Sequence, residues 1–95
     1  MVTGLGIITL RIEGCRSLKE KRKIVKSMIA RIRNAFNVAV AETGANDVLS
    51  RAEIGFAVVG NDRREINARV DKIFNMADRL ALAEIIDTQM EVISL

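Results

Sequence analysis

Positively charged side chains are concentrated in one segment of this 95-residue chain, between residues 16 and 33. The segment contains eight Lys or Arg residues and one acidic residue, Glu20, so its net charge is +7, and the rest of the chain carries −4. Cations at this density are typical of surfaces that neutralise phosphates, because they attract the backbone of nucleic acids. We therefore predict nucleic-acid contacts from Arg16, Lys19, Lys21, Arg22, Lys23, Lys26 and Arg33.

Other chemistries have few candidate residues. Histidine is absent, which excludes histidine-based catalysis and histidine-ligated metals. The chain has one cysteine and no clustered carboxylates, so the sequence predicts no metal and no cofactor. That cysteine, Cys15, is either a thiol activated by a helix N-terminus or a small half-buried residue. Glu42, Asp47 and Arg51 bracket a turn, where they form either a partner-binding corner or a local ion pair or cap of the turn.

A helix over residues 18–35 must position the basic side chains. Ser17 and Glu20 match a capping box, in which the Ser17 hydroxyl accepts from the Glu20 N–H and the Glu20 carboxylate accepts from the Ser17 N–H. No Pro or Gly interrupts the segment, and its apolar residues recur at helical spacing. They are Leu18, Val25, Met28, Ile29, Ile32 and Phe36. Most of the cations fall on one flank beside this apolar stripe.

Charged flanks of helices are usually only solvated surfaces, and that interpretation stays open here. Two features favour a bound anion instead. A solvated face normally mixes charges of opposite sign in i,i+4 pairs, whereas this segment has Glu20 alone. Cations near a helix N-terminus also oppose the helix macrodipole. A second predicted helix, over residues 63–80, has the mixed signs of an ordinary solvated face.

Four strands are predicted around the two helices from alternating apolar and polar residues. They cover residues 3–12, 36–42, 52–60 and 84–95. The order β-α-β-β-α-β, with right-handed crossovers, predicts a ferredoxin-like α+β sandwich, in which both helices cover one face of a four-stranded antiparallel sheet. A chain of this length is expected to form one domain, residues 1–95. The fold hosts many activities and assigns none by itself.

The sheet face away from the helices is predicted to carry an apolar end, which is typical of an interface. Its residues are Leu5, Ile7, Thr9, Gly55, Ala57, Val59 and Ile93. Gly55 and Ala57 are small enough for close approach of a second copy of the chain. Alternatively, long neighbours such as Arg11 cover the patch with their aliphatic stems. The central positions of this face lack aromatic residues, which excludes base stacking of the kind found in RNA-recognition motifs.

The composition favours a cytoplasmic location. One cysteine cannot form an internal disulfide, which suits a reducing compartment. No apolar run approaches the length of a membrane span, so we expect no membrane association. The first residues lack the basic region and the cleavage site of a secretory signal, so we expect no export.

Several short motifs resemble those of the YlxP-like family of small bacterial proteins. They are SLKEKR at 17–22, FNVAVAE at 36–42, Asp47 with Arg51 and Ala52, and VGND at 59–62. Leu49 departs from the pattern, since an aromatic residue is expected there, and Cys15 occupies a variable site. The resemblance covers nearly the whole chain and implies a ferredoxin-like fold without established enzymatic activity. It also implies a connection to RNA, because genes of the family often neighbour those of translation and ribosome maturation factors.

Three functions follow as hypotheses. The first is non-enzymatic association with ribosomal or other structured RNA through the basic segment. The second is a homodimeric interaction module that uses the apolar sheet face. The third is hydrolysis of an acyl phosphate or phosphate ester, because residues 13–16 form a Gly-containing loop with an Arg after the first strand, as in acylphosphatases. The rest of the acylphosphatase signature is missing.

Overall fold

Both helices pack against a four-stranded antiparallel sheet in the computed structural model, which describes residues 1–95. The elements are β1 (Val2–Arg11), α1 (Leu18–Ala35), β2 (Ala39–Gly44), β3 (Arg51–Gly60), α2 (Arg63–Leu80) and β4 (Glu84–Ser94). The strand order across the sheet is β2-β3-β1-β4. The predicted ferredoxin-like α+β fold is therefore confirmed. Neither helix is long and apolar enough to cross a membrane.

One hydrophobic core lies between the two helices and the sheet. Alternate residues of the central strands β1 and β3 are buried in it, among them Ile8 and its cross-strand partner Ile54. The helices contribute residues at three- and four-residue spacing. They are Val25, Met28 and Ile32 from α1, and Ile66, Val70, Ile73 and Ala77 from α2. The residue spacings from which the helices and strands were predicted are therefore also the spacings of their buried residues.

Two glycines of β1 allow core side chains to pack directly against the backbone at the centre of the sheet. The ring of Phe56 lies over Gly6, its cross-strand neighbour, and a Cβ added at Gly6 would come within 2.2 Å of the ring. A Cβ added at Gly4 would lie 2.7 Å from Ile66 of α2. Close packing of both the Phe56 ring and α2 therefore depends on the absence of these side chains.

The predicted boundaries hold for both helices and change by up to three residues at the strands. β2 begins at Ala39 and not at Phe36, because Phe36 is the C-cap of α1 and its N–H still donates to the last helical turn. β4 pairs with β1 through a register shift between Thr9 and Leu10. The shift changes the phase only at the start of β4, where Ile85 and not Ile86 lies opposite the buried Leu10. Met90 lies opposite the inward-facing Gly6, as regular alternation predicts, and is 42% exposed on this edge strand.

Both helices are capped by side chains that precede them, and one capping hydrogen bond of α1 differs from the prediction. The Ser17 hydroxyl accepts from the Glu20 N–H at 3.2 Å, as predicted. The Glu20 carboxylate accepts at 2.8 Å from the N–H of Arg16, and not from that of Ser17, so the second half of the box closes one residue earlier. Asp62 caps α2 by accepting from two N–H groups of its first turn, at 2.8 and 3.3 Å.

Candidate nucleic-acid interface

Helix α1 holds its basic side chains in place because its opposite side is buried. Val25, Met28 and Ile32 anchor the helix in the core. The Ser17 cap sets the start of the helix and hence the rotation of every side chain that follows. Residues three, four and seven apart then lie on the same side of the helix. The cations that alternate with the buried residues are directed to solvent by this arrangement.

Five exposed cations on and just before α1 form what we call the basic ridge. They are Arg16, Lys19, Arg22, Lys23 and Lys26. None of their side chains takes part in the three ion pairs of the chain, which are Arg11–Glu84, Lys21–Glu42 and Arg69–Glu65. The four ridge residues within α1 span about 11 Å of its axis and about 100° of its circumference. Their mutual repulsion and their position near the positive end of the helix dipole are both relieved by a bound anion.

Lys21 lies outside this surface, which corrects the prediction that it contacts phosphates. Its side chain is 1% exposed, and its Nζ lies 3.2 Å from a carboxylate oxygen of Glu42 on β2. That contact is ionic, because the oxygen is not aligned for a hydrogen bond. The Lys21 ammonium group also donates to the backbone carbonyls of Ala45 and Asn46. A buried ammonium group needs such partners, since an unpaired buried charge is very costly.

The contacts of Lys21 change the interpretation of the β2–β3 turn. Glu42 was predicted to share a corner with Asp47 and Arg51, but its carboxylate pairs with Lys21, and neither Asp47 nor Arg51 makes an ion pair. The turn includes Ala45, which has a left-handed φ of 56°. Lys21 donates to the carbonyl of this residue and so ties the turn to α1.

The spacing of residues in α1 contained a signal for the buried lysine. Leu18, Lys21, Val25, Met28 and Ile32 follow one another at intervals of three and four residues. A charged residue at a position of the apolar series is a candidate for a buried ion pair. The identity of its partner could not be read locally, because Glu42 is brought to Lys21 only by the fold.

Arg33, the last of the predicted phosphate contacts, lies at the far end of α1 and has a partner within the chain. Its Nη2 donates to the backbone carbonyl of Val40 on β2 at 3.1 Å. β2 is an edge strand, so one side of its backbone has no neighbouring strand. The bond ties the end of α1 to this edge. The Arg33 guanidinium therefore contributes to the stability of the fold, and we leave Arg33 out of the basic ridge.

The loop between β1 and α1 places a cysteine beside the ridge. Gly14 adopts a φ of 70°, a left-handed conformation that favours glycine. The next residue, Cys15, is half-buried, and its thiol donates to the backbone carbonyl of Ser17 at 3.3 Å. Of the two predictions for Cys15, the small half-buried residue matches this placement.

The residues predicted for an interface share the sheet face opposite the helices, which we call the open face. They are Leu5, Ile7, Thr9, Gly55, Ala57, Val59 and Ile93. The strand register places Thr3 between Val59 and Ile93, and Leu5 opposite Ala57. Leu5, Val59 and Ile93 are 36%, 59% and 44% exposed, so this end of the open face is apolar and uncovered by the chain's own side chains.

Gly55 leaves less room on the open face than its residue type suggested. A Cβ added there would lie 2.7 Å from Cγ2 of Thr43, so the Thr43 side chain fills the space. The Thr43 hydroxyl donates to a Glu53 carboxylate oxygen at 2.8 Å. Glu53 and the β4 residues Asp87 and Glu91 give the open face an acidic margin, opposite in sign to the basic ridge.

Residues 3–90 match the model of a family described as a protein of unknown function, DUF503. The chain belongs to this family. It is also 34% identical over 62 residues to the uncharacterized protein YlxP of Bacillus subtilis (strain 168), a match that covers 65% of this chain and 67% of the relative. The resemblance to YlxP-like proteins that the sequence motifs indicated is thereby confirmed.

Two solved structures share the architecture of this DUF503 member. The de novo designed protein Foldit4 superposes with a TM-score of 0.60 at 16% identity, over 99% of this chain and 97% of the designed one. The protein At3g17210 of Arabidopsis thaliana superposes with a TM-score of 0.55 at 10% identity, over 98% and 94% of the two chains. At these identities the likeness concerns the fold alone.

Proposed function

We propose that this DUF503 member is a non-enzymatic cytoplasmic protein that associates with RNA or the ribosome through the basic ridge. The observation that carries the proposal is the set of five exposed cations on and just before α1, whose side chains are not paired with a carboxylate of the chain. Phosphate contacts need only cations and orientation, and they position a protein on nucleic acid without reading its sequence.

The residue types on the ridge favour phosphates over base edges. Lys19, Lys23 and Lys26 carry compact point charges on flexible stems, which suit phosphate contact and lack the rigid fork by which Arg reads guanine. Arg22 lies at one margin of the ridge, and Arg16 precedes the helix. Binding is therefore expected to depend on charge and salt, with little dependence on base sequence.

Charge reversal on the ridge tests this proposal. Lys23→Glu together with Lys26→Glu should weaken binding to ribosomal subunits and purified RNA without unfolding the domain. The matched control is Arg64→Glu with Lys72→Glu on α2, which changes the net charge equally at two exposed residues outside ion pairs. Co-sedimentation with ribosomal subunits and anisotropy of labelled RNA, at low and moderate salt, provide the readouts.

The salt dependence gives a quantitative expectation. Five phosphate contacts predict a slope of log affinity against log salt of about −3.5 to −4.5, and loss of two contacts should reduce its size by about 1.4 to 1.8. The α2 control should retain the full slope. No association with ribosomal subunits or RNA at low salt, or equal losses in the ridge and control variants, would refute the proposal.

The open face supports a second candidate function, a homodimeric interaction module. The supporting observation is the adjacency of Leu5, Val59 and Ile93, which are exposed together at one end of a sheet face. Exposed apolar patches of this kind commonly mark interfaces. A dimer joined through the open faces leaves both basic ridges outward, so the two functions are compatible.

A substitution at the centre of the open face tests the dimer. Ile7→Asp should convert a dimer into a monomer with unchanged helical content, because it places a charge in the apolar interface. Ala68→Asp, on the exposed side of α2, is the control and should leave the oligomeric state unchanged. Sedimentation velocity across a range of concentrations measures both. If the unmodified chain is a monomer at high micromolar concentration, the dimer candidate fails.

A further inference from the structure

Building on the proposed function, we infer that the basic ridge recognises the sugar-phosphate backbone of double-stranded RNA in preference to single-stranded RNA. Three features carry this inference. The surface has no aromatic residue for base stacking, the ridge has a charge density that matches a duplex, and two uncharged polar side chains extend it.

The chain has no exposed aromatic ring on which an unpaired base could stack. The chain has three Phe and no Tyr or Trp. Phe56 is buried, Phe74 packs against it with ring centroids 5.4 Å apart, and Phe36 packs against the core. Proteins that bind single strands gain much of their affinity from bases stacked on aromatic rings. This surface offers only the guanidinium planes of Arg16 and Arg22 for such contacts.

The density of charge on the ridge matches a double helix better than a single strand. Lys19, Arg22, Lys23 and Lys26 lie within about 11 Å of helix axis. A duplex carries one phosphate per about 1.7 Å of its axis and one strand carries one per about 3.4 Å, so the same length presents about six phosphates in a duplex and about three in a single strand. Four closely spaced cations can therefore each meet a duplex phosphate, but they outnumber the phosphates of a stacked single strand over the same length.

Two uncharged polar side chains extend the outward side of α1 beyond the lysines. Ser27 lies one helical turn after Lys23, and Asn34 lies two turns after Ser27. Neither side chain makes a hydrogen bond within the chain, so each is free to donate and accept. The wide minor groove of an A-form RNA duplex displays 2′-hydroxyl groups, which DNA lacks. Contacts to these hydroxyls would distinguish an RNA duplex from a DNA duplex.

The test compares four nucleic acids in one anisotropy titration with the full chain. They are a 20-base-pair RNA duplex, each of its strands, and the DNA duplex of the same sequence. Five contacts to the duplex predict a salt slope of about −4.5, and about three contacts to a strand predict about −2.1, so the duplex gains more affinity than a strand as the salt concentration falls. We therefore expect at least tenfold tighter binding of the RNA duplex than of either strand at 50 mM.

Two variants separate the contributing contacts. Ser27→Ala with Asn34→Ala should weaken RNA duplex binding threefold or more and leave DNA duplex binding within twofold, because only RNA has the 2′-hydroxyl. Arg22→Lys keeps the charge and removes the stacking plane. It should weaken binding of the single strands no more than binding of the RNA duplex, and a larger loss for the strands would show that stacking of unpaired bases supplies the affinity and overturn the inference.

The remaining outcomes distinguish this inference from the function on which it rests. Equal or tighter binding of single strands overturns the preference for a duplex and leaves RNA association standing. Equal binding of the RNA and DNA duplexes overturns recognition of RNA. Absence of binding to all four nucleic acids at 50 mM salt overturns both the inference and the proposed function.

Discussion

Replacing Lys21 with Met should destabilise the protein by about 3 kcal/mol, although Lys21 belongs to the most basic stretch of the sequence. Met keeps most of the aliphatic packing and removes the ammonium group. Glu42 then loses a counter-ion 3.2 Å away, and the carbonyls of Ala45 and Asn46 lose a donor. Breaking a buried ion pair from one side costs about 3–5 kcal/mol. The Glu42 side chain is still 19% exposed, although its Oε2 is buried, so the carboxylate has a short path to solvent once Lys21 is lost and the lower end applies.

Urea and thermal unfolding measure this loss directly. In a domain of this size, 3 kcal/mol corresponds to a fall in Tm of about 12–24 °C. Lys23→Met is the matched control, since the same substitution two residues away on the exposed side should change stability by less than about 0.5 kcal/mol. Lys21→Met with Glu42→Leu should recover part of the loss, because apolar residues can replace a buried pair.

The same two variants should behave in the opposite way toward RNA. Lys21→Met, while folded, should keep its RNA affinity, whereas Lys23→Met should weaken binding through loss of a phosphate contact. If Lys21→Met were as stable as Lys23→Met, Lys21 would have to be solvated, and the assignment of its role as a buried anchor would be refuted.

Further substitutions test other contacts by the same methods. Gly6→Ala should destabilise the fold by about 3 kcal/mol, because its Cβ would overlap the Phe56 ring; Phe56→Leu in the same chain should restore part of the loss, and no restoration would contradict the overlap. Ser17→Ala should cost about 1 kcal/mol through loss of the α1 cap, and an unchanged urea midpoint would count against that cap. Arg33→Ala should cost about 1 kcal/mol and reduce RNA affinity less than Lys26→Ala in anisotropy titrations, whereas equal losses of affinity would return Arg33 to the ridge.

The parts of the fold that were predictable from sequence have local signals. The range of α1 followed from its capping residue, Ser17, and both helix ranges followed from an uninterrupted helical period. The strand order followed from the βαββαβ sequence of elements and the handedness of crossovers. The position of the apolar residues on the open face followed from strict alternation in β1 and β3, which the structure maintains over ten residues in each strand.

The features that were not predictable depend on contacts between distant parts of the chain. The register shift opposite Thr9 has no marker in the β4 sequence, because it arises from pairing with β1. Thr43 fills the space above Gly55 only once β2 lies beside β3. Among the candidate phosphate contacts, residue type and spacing alone could not separate the buried Lys21 from its exposed neighbours, because the separation requires the carboxylate of Glu42.

The separation of the basic ridge from the acidic margin of the open face has a kinetic consequence. The ridge cations lie on the helix side of the sheet. The open face carries Glu53, Asp87 and Glu91, with Arg11 and Arg51 at one end. This distribution gives the molecule an electric dipole that orients it in the field of a polyanion before contact. Collisions then occur mainly through α1, and the association rate constant should exceed the unsteered value of about 10⁵–10⁷ M⁻¹s⁻¹ at low salt and fall as salt rises. Landing in this orientation leaves the open face turned to solvent, where a second partner can reach it.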